Sequence, residues 1–158
     1  MSTLRVDSLQ GQTADGTNRY VVQVVQMSTT TEVTLSSSTA TATGLSLAIT
    51  PSSTNNKILV MGSVNGVGTF ATSTSVNIDV FRGASSSDTK ISDPQVHAGY
   101  DTASSDNQVN VPFMILDSPS TTSAQTYSVF FNRNAGSGNV KVQSNNSEST
   151  LTLMEIAQ

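Results

Sequence analysis

Apolar and polar residues alternate in about nine short runs along the chain, and this period of two most restricts its fold. Residues 75–82 show it most clearly, with Val76, Ile78 and Val80 on one face. Successive side chains of a β-strand point to opposite faces, so the alternation predicts strands with one buried face. No helical spacing of apolar residues continues for more than a turn. The sequence therefore predicts an all-β, antiparallel β-sandwich, with the jelly roll as the leading subtype.

The predicted strands are separated by turn-forming stretches. Residues 52–56, 83–88 and 135–139 are rich in Ser, Gly, Asn and Asp, which favour turns. Residues 92–107 are the longest irregular stretch, and the pattern there allows a short strand or a surface loop. Strands are predicted at residues 20–27, 33–35, 45–49, 57–65, 75–82, 108–116, 126–132, 140–142 and 149–157. Besides the three residues named above, the predicted inward side chains include Ile58, Val60, Val64, Val109, Val111, Phe113, Ile115, Tyr127, Val129 and Phe131.

The first 19 residues differ from the rest of the chain. They are polar and supply little core material, and the pair Asp15–Gly16 predicts a turn. The following residues, 20–158, are enough for one domain with one core. We therefore divide the chain into a short N-terminal arm, residues 1–19, and a jelly-roll domain, residues 20–158.

The first predicted strand carries apolar residues on both of its faces. Val22 and Val24 share one face, and Val21 and Val25 share the other. This pattern predicts burial on both sides of the strand.

The last predicted strand shows a related pattern. Leu151 and Leu153 share one face, while Met154 and Ile156 share the other. A bulge near Leu153 would explain this, as would cover on both faces. The cover on the outer face would be a neighbouring subunit or the N-terminal arm. On the first of these alternatives, Met154 and Ile156 are predicted to lie at an interface between subunits.

Composition and charge exclude several classes of function. The net charge is -4, and only 11% of the residues are charged, so a nucleic-acid-binding role is not expected. The chain has no cysteine and therefore no thiol or disulfide chemistry. No apolar run is long enough to span a membrane, and no secretory signal is apparent, so we expect synthesis in a cytosol.

The single histidine and the loop carboxylates are weak candidates for chemistry. His97 has no companion His or Cys nearby in the sequence, which is against a triad or a zinc site. Asp88, Asp93, Asp101 and Asp106 fall between two predicted strands, but their spacing does not match a calcium loop. We expect no metal site, and we interpret His97 as a surface loop residue.

Neither a phosphate loop nor a pair of catalytic carboxylates is apparent. Residues 62–68 are rich in glycine but lack the Gly-Lys-Ser or Gly-Lys-Thr ending of a phosphate loop, which favours a flexible loop or a bulge. Glu32, Glu148 and Glu155 are the only glutamates and form no recognisable glycosidase constellation. We therefore expect no catalytic residues and no cofactor, and hence no enzyme.

Three segments of the chain resemble small structural proteins of marine phages and cyanophages. They are residues 2–10 (STLRVDSLQ), residues 116–127 (LDSPSTTSAQTY) and residues 151–158 (LTLMEIAQ). Proteins of this kind are homotrimeric jelly-roll modules of the virion, described as tail-fibre-like, head-fibre or capsid-decorating. The resemblance does not extend to residues 65–107, and it transfers no catalytic residue.

The resemblance implies a function in a phage particle that is assembled in the host cytoplasm. The arm would anchor the module to another virion protein of the capsid, the portal vertex or the tail, and a host surface glycan is an expected contact if the module is adhesive. Within the arm, Leu4, Val6 and Leu9 are the apolar residues expected to form the anchor.

Two other functions remain compatible with the sequence. A capsid cement protein would bridge shell subunits through the whole domain and have no receptor. A free, lectin-like glycan-binding module would not need residues 1–19. The extent of contact with the particle distinguishes a fibre from a cement protein, and a glycan array tests the lectin.

Overall fold

The computed structural model describes residues 19–103 and 106–158. Within these ranges the chain forms ten strands and one short 3-10 turn, Ser144–Asn146, and every strand pairing is antiparallel. The strands are β1 Val21–Thr29, β2 Val33–Leu35, β3 Thr41–Ile49, β4 Lys57–Thr69, β5 Ser75–Arg82, β6 Thr89–Ala98, β7 Asn107–Asp117, β8 Gln125–Ala135, β9 Val140–Val142 and β10 Ser149–Ile156.

The strands form two sheets that face each other. In the first sheet β1, β10, β4 and β7 lie side by side. The short strand β9 pairs with the C-terminal end of β4, and β2 pairs with β9. In the second sheet the order is β3, β8, β5 and β6. The chain crosses repeatedly between the sheets. The four long strands of the first sheet and the four strands of the second, connected in this order, form a jelly roll. The predicted fold class is confirmed.

The core lies between the two sheets and contains the side chains that alternation placed inward. Each fully buried aliphatic or aromatic side chain contributes about 1.5–3 kcal/mol relative to exposure. Val109 is an exception because it lies opposite the bulge in β4 and is 37% exposed. Predicted core residues that are fully buried are Ile58, Val60, Val64, Val76, Ile78, Val80, Tyr127, Val129, Phe131, Leu151 and Leu153.

The irregular stretch at residues 92–107 contains most of strand β6. This strand lies at the edge of the second sheet, and its register with β5 shifts three times. The shifts and Pro94 interrupt the period of two, so alternation does not reveal the strand. His97 therefore lies on a strand, and its interpretation as a loop residue was wrong.

Burial on both sides of β1 was also a wrong prediction. Val25 and Met27 pack against the core, but Val24, opposite Met154, and Val21, opposite Ile156, are 51% and 50% exposed. The register with β10 shifts between Val21 and Gln23, at the start of the strand.

The strand register shows whether the last strand and the glycine-rich stretch contain a bulge. β10 pairs with β4 in unbroken register from Thr150 to Ile156, so no bulge lies near Leu153. Residues 62–68 continue strand β4, with a register shift between Val64 and Val67. The predicted bulge is confirmed there, and Gly66 supplies the positive φ of 59° that it needs.

One end of the sandwich, which we call the near end, holds both termini of the domain. The backbone N–H of Ala157 donates to the carbonyl of Tyr20 at 2.9 Å. The pairing of Arg82 with Tyr127 places the loop at 83–88 at this end, whereas the connection from β6 to β7 lies at the opposite, far end. The loop at residues 83–88 and the segment at residues 99–103 therefore lie at opposite ends of the domain.

Candidate functional site

An apolar band crosses the outer face of the first sheet. Strand register aligns Val24, Met154, Leu59 and Leu116 in one row that spans all four strands. The next row towards the far end is Gln26, Thr152, Met61 and Met114, and the row beyond it is polar, with Ser28, Thr150, Ser63 and Pro112. We define the apolar band as Val21, Val24, Leu59, Met61, Met114, Leu116, Met154 and Ile156.

Part of this band is well exposed. Met114 is 72% exposed and Leu116 is 54% exposed, although both belong to a regular strand. Met154 and Ile156 are partly buried by their neighbours in the sheet. Contiguous apolar side chains on a regular sheet face are typical of a contact surface.

The outer face of the second sheet has different chemistry. There the ammonium of Lys90 lies between Asp79 and Asp93, at 3.0 and 2.9 Å. Asn77 donates to Asp79 at 2.9 Å. Burial, together with a hydrogen bond to Asp93, raises the pKa of Asp79. This outer face also carries the rings of Phe81 and Phe130, with centroids 5.4 Å apart, but both are buried, unlike Met114 and Leu116 on the first sheet.

The two predicted interface residues lie within the apolar band. Met154 is paired with Val24 on one side and with Leu59 on the other, and Ile156 is paired with Lys57. Both face away from the core, as the alternation of β10 indicates. The predicted anchor residues Leu4, Val6 and Leu9 lie outside the described residues, so their contribution stays a prediction.

Sequence reasoning missed most of the band. In β7 the inward positions were identified, but Met114 and Leu116 at the outward positions are also large and apolar. Leu59 and Met61 repeat the same feature in β4. The signal for the band in the sequence was the presence of apolar residues at outward positions of several strands. Recognising that these residues are neighbours required the strand order.

A buried carboxylate lies behind the band at the near end. Glu155 follows Leu151 and Leu153 on the inner face of β10 and is fully buried. Its Oε1 accepts hydrogen bonds from the Ser52 N–H and hydroxyl, both at 2.7 Å, and from the Asn56 amide at 2.6 Å. Its Oε2 accepts from the Gln23 amide at 2.6 Å. Glu155 thus joins β1, β10 and the β3–β4 loop.

The hydrogen bonds keep the Glu155 carboxyl ionised. Burial acts to raise the pKa of this group, but hydrogen bonds from Asn56, Gln23 and Ser52 outweigh it and lower the pKa to about 2. All four donors point at the carboxylate oxygens and therefore stabilise the negatively charged form relative to the protonated one.

His97 contacts neighbouring polar side chains and one aromatic ring. Its Nδ1 lies 3.2 Å from the hydroxyl of Ser75, and the amide of Asn134 lies 3.4 Å from both ring nitrogens. Ser75 is fully buried, so its hydroxyl cannot reach a substrate. The Tyr100 ring packs edge-to-face on His97 at 6.0 Å.

The candidate carboxylates are not brought together. Asp88 accepts from the Ser85 N–H in the loop at the near end, whereas Asp101 accepts from the Ala103 N–H at the far end. In residues 19–103 and 106–158 no group of three or more His, Cys, Asp or Glu could hold a metal ion. Glu148 and Glu155 flank opposite ends of β10, about 23 Å apart along the strand, too far for a glycosidase pair.

The fold and this surface define a jelly-roll protein with an apolar outer face on one sheet. No helix in the described part of the chain is long and apolar enough to cross a membrane.

No protein-family model and no curated protein matches the chain. Among solved structures, one of the infectious bursal disease virus Gx strain is similar, with a TM-score of 0.49 and 13% identity, over 99% of this chain and 41% of that one. The VP2 subviral particle of infectious bursal disease virus gives a TM-score of 0.45 and 12% identity, over 99% and 43%. The chain thus spans about two-fifths of these proteins. A similarity at this level is no argument about function, and the jelly-roll assignment rests on the strand order.

Proposed function

We propose that the chain is a structural component of a phage virion, a fibre-like appendage or decoration module without enzymatic activity. The observation that carries this proposal is the apolar band, because a soluble domain with so polar a composition gains nothing from such a surface unless another protein covers it. Residues 2–10, 116–127 and 151–158 resemble virion proteins, and this resemblance is the reason for proposing a virion as the assembly.

The proposed module is a homotrimer whose arm is attached to another virion protein. Tyr20 lies beside Ala157, so residues 1–19 join the domain at the near end, close to the pair Val21 and Ile156. An arm that leaves from this end lets the far end of the sandwich point away from the particle. The loops at the far end are then the ones available to a host surface glycan.

The lack of enzymatic activity is supported by the contacts of the candidate groups. The Ser75 hydroxyl is enclosed, Glu155 is saturated with donors, and the Asp79 and Asp93 carboxylates are engaged by Lys90. Each of these groups therefore has a structural partner in place of an open substrate site.

Deleting residues 1–19 is expected to abolish incorporation into particles. The anchor would be lost, whereas the strands of the domain begin at Val21 and would retain their pairings. Incorporation is measured by quantifying the protein in purified particles from a host that expresses only the truncated form. The same truncated protein should remain oligomeric in solution. Normal incorporation of the truncated chain would overturn the anchoring function of the arm.

A capsid cement protein is the second candidate, and the apolar band favours it because the band belongs to the domain and not to the arm. Cement would bind the shell through this surface, so deletion of the arm would leave incorporation largely intact. The truncation experiment therefore separates the two functions.

The purified full-length protein is expected to have a mass of about three times 16.5 kDa by sedimentation. Association would bury apolar surface that a single small sandwich leaves in water. A stable species of 16.5 kDa at micromolar concentration would contradict the trimer.

A further inference from the structure

We propose that Lys90 and Asp79 become joined by an intramolecular amide bond, formed in the folded chain with loss of one water molecule. Asp79 lies in β5, inside the second sheet, and Lys90 lies in the neighbouring edge strand β6. The bond would therefore fasten the edge of this sheet to its interior. The proposal goes beyond the virion function and does not depend on it.

Strand pairing holds the reacting groups in contact. Lys90 is paired with Phe81, and its ammonium lies 5.9 Å from the centroid of the Phe81 ring. Its Nζ is then 3.0 Å from Oδ1 of Asp79 and 2.9 Å from Oδ1 of Asp93. Groups held at this distance need no encounter in solution, which removes a large part of the entropic barrier to bond formation.

Asp79 favours the protonated form of a carboxyl group, which an amine can attack. The residue is only 5% exposed, and burial, together with the hydrogen bond to Asp93, raises its pKa. Hydrogen bonds with Asp79 and Lys90 lower the pKa of Asp93. The proton that the two carboxyl groups share is therefore bound preferentially by Asp79, and Asp93 is the carboxylate.

The two oxygens of Asp79 have different surroundings and therefore different roles. Oδ2 accepts a hydrogen bond from the Asn77 amide at 2.9 Å, and this donor would stabilise the negative charge that develops when the amine adds. Oδ1 is buried, and the Lys90 ammonium approaches it at an angle that makes no hydrogen bond. Oδ1 is the oxygen that leaves, and its loss removes a buried acceptor that has no donor.

The reaction is a condensation that needs no further reactant. The Lys90 ammonium passes one proton to the Asp93 carboxylate, which frees the nitrogen lone pair. Nζ then bonds to Cγ of Asp79, the bond from Cγ to Oδ1 breaks, and Oδ1 leaves as water with its own proton and a second one from the nitrogen. Asp93 returns its proton to solvent. The hydrogen bond to Asp93 raises the pKa of Lys90, so we expect the proton transfer to make the reaction slow compared with folding.

The bond would secure the least regular part of the second sheet. The register of β6 with β5 shifts three times, and β6 lies at the sheet edge. The chain has no cysteine, so no disulfide can fasten this edge. A link between residues 79 and 90 closes the β5–β6 hairpin around the turn at residues 83–88.

The intact mass of the denatured full-length protein tests the bond. Once the mass no longer changes on incubation at neutral pH, we expect it to be lower than the mass of the sequence by one water molecule. Trypsin should then fail to cleave after Lys90, and residues 58–82 should be recovered covalently joined to residues 83–133. A final mass equal to that of the sequence would overturn the proposal.

Lys90→Arg is the matched control, because it keeps the positive charge beside both carboxyl groups. A guanidinium stays protonated and cannot form the bond, so this variant should have the full mass of its own sequence. An Asp-Gly pair such as Asp15–Gly16 can also lose water, by closing to a cyclic imide. A loss of water that persists in Lys90→Arg would therefore belong to another site and overturn the proposal.

Asp93→Asn tests the base. The amide keeps the volume of the side chain but accepts no proton, so the linked fraction at a fixed early time should fall by about tenfold or more. Peptides joining residues 58–82 to residues 83–133 measure this fraction. An unchanged rate of linkage would overturn the assignment of Asp93 as the base.

Discussion

Replacing Glu155 with Gln is expected to lower the free energy of unfolding by about 3 kcal/mol, which corresponds to a drop in Tm of roughly 10 °C. The substitution keeps the volume but places an amide nitrogen among four donors, from Ser52, Asn56 and Gln23. At least one buried donor then loses its acceptor. Chemical denaturation and thermal unfolding at one fixed protein concentration measure the effect.

Glu148→Gln provides the matched control for this prediction. Glu148 is exposed and precedes the same strand, so the identical chemical change should alter stability by less than about 0.5 kcal/mol. Equal effects of the two substitutions would show that the Glu155 hydrogen bonds contribute no net stability.

The same residue gives stability a defined pH dependence. The pKa of Glu155 is about 2 in the folded state and 4.5 in its ordinary range, so the unfolded chain binds the proton more readily. The contribution of Glu155 is therefore complete above about pH 4.5 and is lost as the pH falls towards 2. Unfolding curves of the wild type and Glu155→Gln should differ most at neutral pH and converge near pH 2.

The sequence was sufficient to predict the strands whose inward residues alternate without interruption. In β5 and β8 each inward residue, from Val76 to Phe131, is fully buried as alternation predicts. Strand β6 was not identified from the sequence because its register shifts and Pro94 remove the period of two. The order of the strands is a long-range property, since β1 pairs with β10 at the other end of the chain, and periodicity carries no information on it.

The apolar band could be predicted only in part from the sequence, because its definition depends on the strand order. Met154 and Ile156 stood out because their strand is apolar on both faces. Leu116 and Leu59 become neighbours of Met154 only once β7, β4 and β10 are placed side by side. Glu155 occupies the inward position after Leu153, so its burial follows from alternation, but its four donors come from segments about 100 or more residues away.

Replacing Gly62 with Ala is expected to be among the most damaging single changes in the domain. A Cβ at Gly62 would overlap the backbone oxygen of Thr150 and meet the Phe113 ring at 2.9 Å, so β10 would have to move away from β4 in the middle of the first sheet. We expect a loss of about 3 kcal/mol or more, because the obstacle is backbone. Gly68→Ala, in the same strand, is the control, since its added Cβ would meet mainly the movable ring of Phe70. Soluble yield and chemical denaturation compare the two, and equal stability would contradict the close approach of β10 to β4.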